Sequence, residues 1–137
     1  MTLRPTGDDA RDGRRGGVLV RVDGALAFLP AAMVQSIVAL PAITPVPGRH
    51  EPLLGIAQVG NGVIPVLGLG ALGASRGALV VTRHGGEAVG LAGIEVVGTG
   101  HYDVDGSAPD CVRVGGDRVP SIDVGAIYDR VKRAGWG

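Results

Sequence analysis

Gly68-x-Gly70-x-x-Gly73, inside the stretch VIPVLGLGALG at residues 63–73, has the spacing of the glycine fingerprint that dinucleotide-binding folds set between a strand and a helix. In such a site the pyrophosphate rests on the helix N-terminus, where unpaired N–H groups and the macrodipole attract anions. The neighbouring residues do not supply that helix. After Gly73 come only Ala74-Ser75-Arg76 and Gly77 before the strand-like ALVVTRH, whereas a parallel crossover needs about a dozen residues or more. Pro65 sits in the strand that would have to be central, a position that proline avoids because it donates no ladder hydrogen bond. The acidic residue due about 20 positions on could only be Glu87, directly behind the turn signal Gly85-Gly86. With 25 glycines among 137 residues, the spacing is read as chance.

Other chemistry-bearing residues are equally scattered. HYDVDG at 101–106 starts like a calcium loop, but the first ligand position holds His101 and the closing position holds Val112 instead of a bidentate glutamate, so a turn is expected. His50, His84 and His101 have no metal-ligand spacing and no cysteine pair beside them. Ser36, Ser75, Ser107 and Ser121 lack the context of a nucleophile elbow. Cys111 is alone, which rules out an intrachain disulfide framework, fits a reducing compartment, and reads as a structural thiol. No catalytic residue, metal site or cofactor is assigned from these patterns.

Formal net charge is zero, and lysine and arginine do not cluster. With two Tyr, one Phe and one Trp there is little for bases to stack on, so nucleic acid is not an expected partner. Arg14-Arg15 does not open an export signal, because Arg21 and Asp23 interrupt the apolar run that follows. Residues 24–48 carry no Asp, Glu, Lys or Arg, yet Pro30, Pro41, Pro45 and Pro47 break any membrane-spanning helix there. A cytoplasmic protein without direct membrane insertion is the expectation. Between Gly24 and Ser75 the only charges are Arg49 and Glu51. A chain this small cannot bury that whole segment, so an apolar partner-binding surface is expected to remain exposed.

The elements that would position such a surface are short strands. Residues 1–16 are polar and aperiodic and read as a disordered lead-in, with 134–137 as a tail after one domain at 17–133. GVLVRV, Asp23-Gly24 and ALAFLP form a hairpin pattern. PAAMVQSI, opening on proline, reads as a short helix with Ala31, Val34 and Ile37 on one side. GIAQV and VIPVL flank Gly60-Asn61-Gly62, a second hairpin, and ALVVTRH and EAVGLAG flank Gly85-Gly86, a third. IEVVGTG reads as a separate strand and YDVDGSAPD as a polar loop. CVRV and RVPSI surround the turn at Gly115-Gly116-Asp117. Asp123 is placed to cap a helix with Val124, Ile127, Tyr128 and Val131 at i, i+3, i+4 and i+7. The fold class is therefore all-β, of small barrels or a sandwich.

Four passages in this order resemble the CheW-type chemotaxis coupling proteins: MVQSIVALPAITPVP, GIAQVGNGVIPVLGL, ALVVTRHGGEAVGLAGIEVVGTG and GGDRVPSIDVGAIYDRV. The second is similar, without a gap, to the family's G-V-x-N-L-R-G-x-x-x-P-V-x-D-L signature. The resemblance implies two intertwined SH3-like five-stranded β-barrels, a short helix after the second strand and a C-terminal helix. It also implies a non-enzymatic adaptor joining the regulatory domain of a CheA-type histidine kinase to the cytoplasmic tips of chemoreceptors. Gln58, Val59, Gly60 and Asn61 match the kinase-facing hairpin. Val34 and Ile37, with Val97 and Gly98 across a groove, match the receptor-binding positions, a helix-in-groove mode. Gly60 stands where the family has arginine, Asn61 where it has the following glycine, Gly68 where it has aspartate, and Ser36 where it has the arginine's glutamate partner. Two alternatives stay open: a divergent scaffold that binds receptors without recruiting the kinase, and a small-ligand or nucleotide-binding enzyme.

Overall fold

The computed structural model describes residues 13–47, 52–70 and 77–133. Nine strands run in the order β1 (Arg14–Val22), β2 (Ala25–Pro30), β3 (Val34–Ala39), β4 (Leu53–Val59), β5 (Gly62–Gly68), β6 (Ala78–His84), β7 (Glu87–Asp105), β8 (Ala108–Val114) and β9 (Asp117–Pro120). A 3-10 helix at Ala31–Met33 follows β2, and helix α1 (Val124–Arg133) ends the described chain.

The long strand β7 organises everything else. Its first part pairs with β6 antiparallel and with β5 parallel; its later part pairs with β1 and β8. The result is two five-stranded halves sharing β7, in the orders β3-β6-β7-β5-β4 and β2-β1-β7-β8-β9. The N-terminal hairpin thus completes the C-terminal half, which is the intertwining expected of paired barrels. Neither half is closed by a continuous ladder. One isolated bridge, Thr44 to Ile56, spans the gap in the first half, with N–H donors at 2.8 and 2.9 Å from the opposing carbonyls. A parallel bridge from Phe28 to Ser121 spans the second, and the Ile122 N–H donates to the Phe28 carbonyl at 2.9 Å.

Consecutive apolar residues such as Val18-Leu19-Val20 and Leu79-Val80-Val81 follow from this layout. Successive side chains point to opposite faces, and here both faces are buried. Leu19 and Phe28 pack with Val112 and Val119 inside the second half, while Leu79 and Val81 pack with Ile64, Val66 and Ala92 inside the first. The alternate residues Val18, Val20, Leu29, Val80 and Leu91 form a third cluster between the halves, covered by Val124, Tyr128 and Val131 of α1.

All four expected tight turns are present, three of them with positive φ at both central residues: Asp23-Gly24, Gly85-Gly86 and Gly115-Gly116. Asp123 caps α1, its carboxylate accepting the Ala126 N–H at 2.9 Å. Three expectations need correction. The helix after β2 is a single 3-10 turn, and Val34 to Ala39 is strand: alternating half-buried and exposed residues pair with β6, and β-branched Val34, Ile37 and Val38 suit that pleat. The separate strand at 94–100 is part of β7. The polar loop expected over 102–110 is mostly strand, with only Gly106-Ser107 between β7 and β8. Strand β1 begins at Arg14, inside the expected lead-in; residues 1–12 and the tail at 134–137 lie outside the described residues.

Candidate interaction surfaces

Gln58, Val59, Gly60 and Asn61 all fall at the tip of the β4–β5 hairpin, where Val59 pairs with Gly62 and Gln58 with Val63. Of the two central residues only Gly60 has positive φ (59°), the pattern of a II′ turn that matches the strand twist. Gln58, Gly60 and Asn61 are exposed, whereas Val59 leans on the core of the first half. Val63, directly opposite Gln58, is 63% exposed, the most exposed large hydrophobic side chain among the described residues. It opens onto a cavity of about 440 Å³ that Pro65, Ala88, Tyr128 and Lys132 help line. There the Tyr128 hydroxyl donates to Glu87 at 2.9 Å and Lys132 lies 5.4 Å over the tyrosine ring.

The other predicted residues lie along the seam between the halves. Ile37 pairs with Val80, and Val80 with Leu91, so Ile37 is the outermost member of a row that belongs to the shared core; it stays 39% exposed on edge strand β3. Val34 packs against the same cluster. Val97 is the extra residue of a bulge, since Leu19 pairs with Gly98 and the adjacent Val20 with Val96; the bulge turns Val97 outward to 44% exposure. Strand β3 and this part of β7 share no ladder. Val34 and Ile37 lie on β3 opposite β6, and Val97 and Gly98 lie on β7 at the bulge opposite Leu19 and Val20. Where β7 passes from one half to the other is a cavity of about 380 Å³ lined by Gly77, Gly93 and Ile94 and by Arg21 and Glu95, which pair at 3.5 Å; none of the four residues lines it.

A family model for the CheW-like domain matches residues 16–122. The chain belongs to the CheW-like domain family. The matched span runs from β1 through β9 and so takes in both halves of this CheW-like domain. The fold is also similar to the crystal structure of the scaffolding protein TtCheW from Thermoanaerobacter tengcongensis. That similarity has a TM-score of 0.69 at 17% identity, covering 84% of this chain and 92% of that one. A comparison with curated proteins gives no match.

Within this CheW-like domain the fingerprint glycines answer to packing. A Cβ on Gly68 would lie 2.8 Å from the Leu54 side chain, and one on Gly70 (φ 80°) would lie 2.8 Å from the Asp23 carboxylate. Gly73 lies outside the described residues, as do His50 and Ser75. The calcium-like stretch is committed elsewhere as well. Asp105, with a side chain only 3% exposed, accepts Arg118 Nε at 2.9 Å and Arg113 Nη1 at 3.0 Å on one oxygen. The Ser107 N–H and hydroxyl donate to the other oxygen at 2.9 and 2.8 Å. The Arg118 hydrogen bond, then the two Ser107 bonds, hold this carboxyl well below the ordinary carboxylate range. The cluster pins the β7–β8 turn to β9, and no buried side-chain atom among the described residues is left to reach for a ligand. Sequence reading missed it because Arg113 and Arg118 meet Asp105 only once β7, β8 and β9 are in register. His84 contacts Asp129 of α1 at 3.5 Å, Ser121 donates to the Asp110 carbonyl at 2.6 Å, and Cys111 is half-buried. No group of three or more potential metal ligands occurs among the described residues. No described helix is long and apolar enough to cross a membrane.

Proposed function

We propose that this CheW-like domain is a non-catalytic adaptor of chemotaxis-type signalling in the cytoplasm, linking chemoreceptor tips to a CheA-type histidine kinase. The observation that carries the proposal is the family match across both halves, from residue 16 to 122. The hairpin tip at Gln58, Val59, Gly60 and Asn61 is the kinase-binding element. The groove with Val34 and Ile37 on one side and Val97 and Gly98 across it receives an amphipathic receptor helix. The exposed Ile37, Val63 and Val97 agree with a binding role, since partner surfaces keep apolar anchors uncovered.

A second reading, receptor binding without kinase recruitment, draws on the hairpin tip itself. From Gln58 to Gly62 it presents no charged group, and Gly60 offers no side chain where the family has arginine. Titrating the purified protein with a receptor-tip fragment, and separately with the kinase regulatory domain, distinguishes these readings. Binding to both supports the adaptor, and binding to the receptor fragment alone supports the second reading. Binding to neither, together with a nucleotide retained through purification and detected by mass spectrometry, would return the protein to the enzyme class.

A further inference from the structure

We propose that Asn61 is a site of spontaneous self-modification, a deamidation that places a negative charge at the tip of the β4–β5 hairpin. Asn61 is the only asparagine in the chain, and it precedes Gly62. Both residues are exposed, and around Gly62 the nearest atom to a would-be Cβ is the Val59 carbonyl oxygen at 4.0 Å. A glycine after asparagine lets the backbone nitrogen approach the side-chain amide, because no Cβ shields it.

The step balances with water alone. The Gly62 nitrogen gives up its proton to solvent base and attacks Cγ of Asn61. The new C–N bond closes a five-membered imide while the bond to the amide nitrogen breaks, and that nitrogen leaves as ammonia. Water then adds to either imide carbonyl and reopens the ring to an aspartate or an isoaspartate. Nothing is oxidised or reduced. Because Val59 and Gly62 are the closing pair of a two-residue turn, ring closure proceeds from the opened tip, so its rate follows local opening of the hairpin.

The product differs from the parent in ways the tip is built to feel. A carboxylate arrives in a segment whose only charges between Gly24 and Ser75 are Arg49 and Glu51. The isoaspartate form adds a methylene to the backbone of a turn whose register depends on two residues. On the kinase-binding reading of this hairpin, modification weakens that contact as the protein ages.

The test is to hold the full chain at mildly alkaline pH over days and follow it by peptide mass spectrometry with an isoaspartate assay. The expected result is a mass gain confined to the peptide holding residue 61, with both product forms present. That gain should be slowed severalfold in Gly62→Ala and absent in Asn61→Gln. Asp12-Gly13, Asp23-Gly24 and Asp105-Gly106 can isomerise through the same ring without any change of mass, so a mass gain excludes them, and its loss in Asn61→Gln, which keeps Gln58, assigns it to Asn61. Gly62→Ala meets open space at a φ that is not positive, which makes it a folded control. An intact Asn61 in the folded chain, under conditions where the same sequence in a short peptide converts, would overturn the proposal. Modification that proceeds without changing affinity for the kinase regulatory domain would leave the site standing and overturn the kinase contact at the tip.

Discussion

Introducing a carboxylate at Ile37 and at Val80 separates an exposed anchor from the core it belongs to. The two residues are direct partners on β3 and β6, on the same face of the sheet, at 39% and 0% exposure. Fully burying an isoleucine contributes about 1.5–3 kcal/mol, so the roughly three-fifths that is buried at Ile37 accounts for about 1–2 kcal/mol. Aspartate in a strand costs up to about 1 kcal/mol more. Ile37→Asp should therefore cost about 1–3 kcal/mol and leave a domain of ordinary stability (~5–15 kcal/mol) folded. At about 3–6 °C per kcal/mol for a chain of this size, Tm falls by roughly 3–18 °C. Val80→Asp buries an unpaired carboxylate between the halves and should exceed ~4 kcal/mol, enough to abolish the cooperative melt in a marginal domain. Circular dichroism melts of the two variants beside the parent, followed by titration of folded Ile37→Asp with a receptor-tip fragment, give both readouts. Loss of folding in Ile37→Asp as complete as in Val80→Asp would refute the reading of Ile37 as the exposed end of the row. A folded Ile37→Asp that binds the fragment undiminished would refute its place in the receptor seam.

Asp105→Asn tests the buried cluster through pH. Because the folded carboxyl titrates below its ordinary value of 3.8, the cluster's contribution is fully present above that value and is lost as pH falls through the folded one. The variant should therefore melt below the parent at pH 7, and the gap should narrow at pH 3; a gap independent of pH would count against the ionised carboxylate as the hub. Asp123→Ala removes the cap on α1 and should cost about 1 kcal/mol, read as a lower denaturation midpoint, while Asp123→Asn should recover most of it. Ser36→Glu with Gly60→Arg, in a double-mutant cycle, should show a coupling of about 0.2–1 kcal/mol that shrinks with salt, as for an exposed ion pair. The arginine alone should destabilise, since φ at Gly60 is 59°, and a coupling of zero at low salt would show that the two sites are not neighbours.

The turns were legible in the sequence because their chemistry is local. Asp23-Gly24, Gly60-Asn61, Gly85-Gly86 and Gly115-Gly116 specify positive φ within two residues, and Asp123 caps the helix that immediately follows it. What the sequence left illegible depends on pairing between distant segments. PAAMVQSI satisfies a helical start and a helical stripe as well as it satisfies a strand; β6, more than 40 residues on, decides for the strand by offering a ladder to Val34–Ala39. Asp105 reads as a turn aspartate until Arg113 and Arg118 arrive on two further strands.

The same reasoning explains why the candidate surface could be expected in kind but not in place. A charge-poor segment in a small domain must leave apolar groups uncovered, yet composition cannot say which ones. Ile37, Val38 and Val80 are equivalent as residue types. Val38 turns into the first half, Val80 closes the shared core, and Ile37 remains open because β3 has a ladder neighbour on one side only. Val97 escapes burial for a different reason, a bulge in the ladder of β7 with β1, just beyond the end of its pairing with β6. Ile37 and Val97 thus stay exposed at an edge strand and at a bulge in the shared strand, places where a second chain can add apolar contact without displacing any from the core.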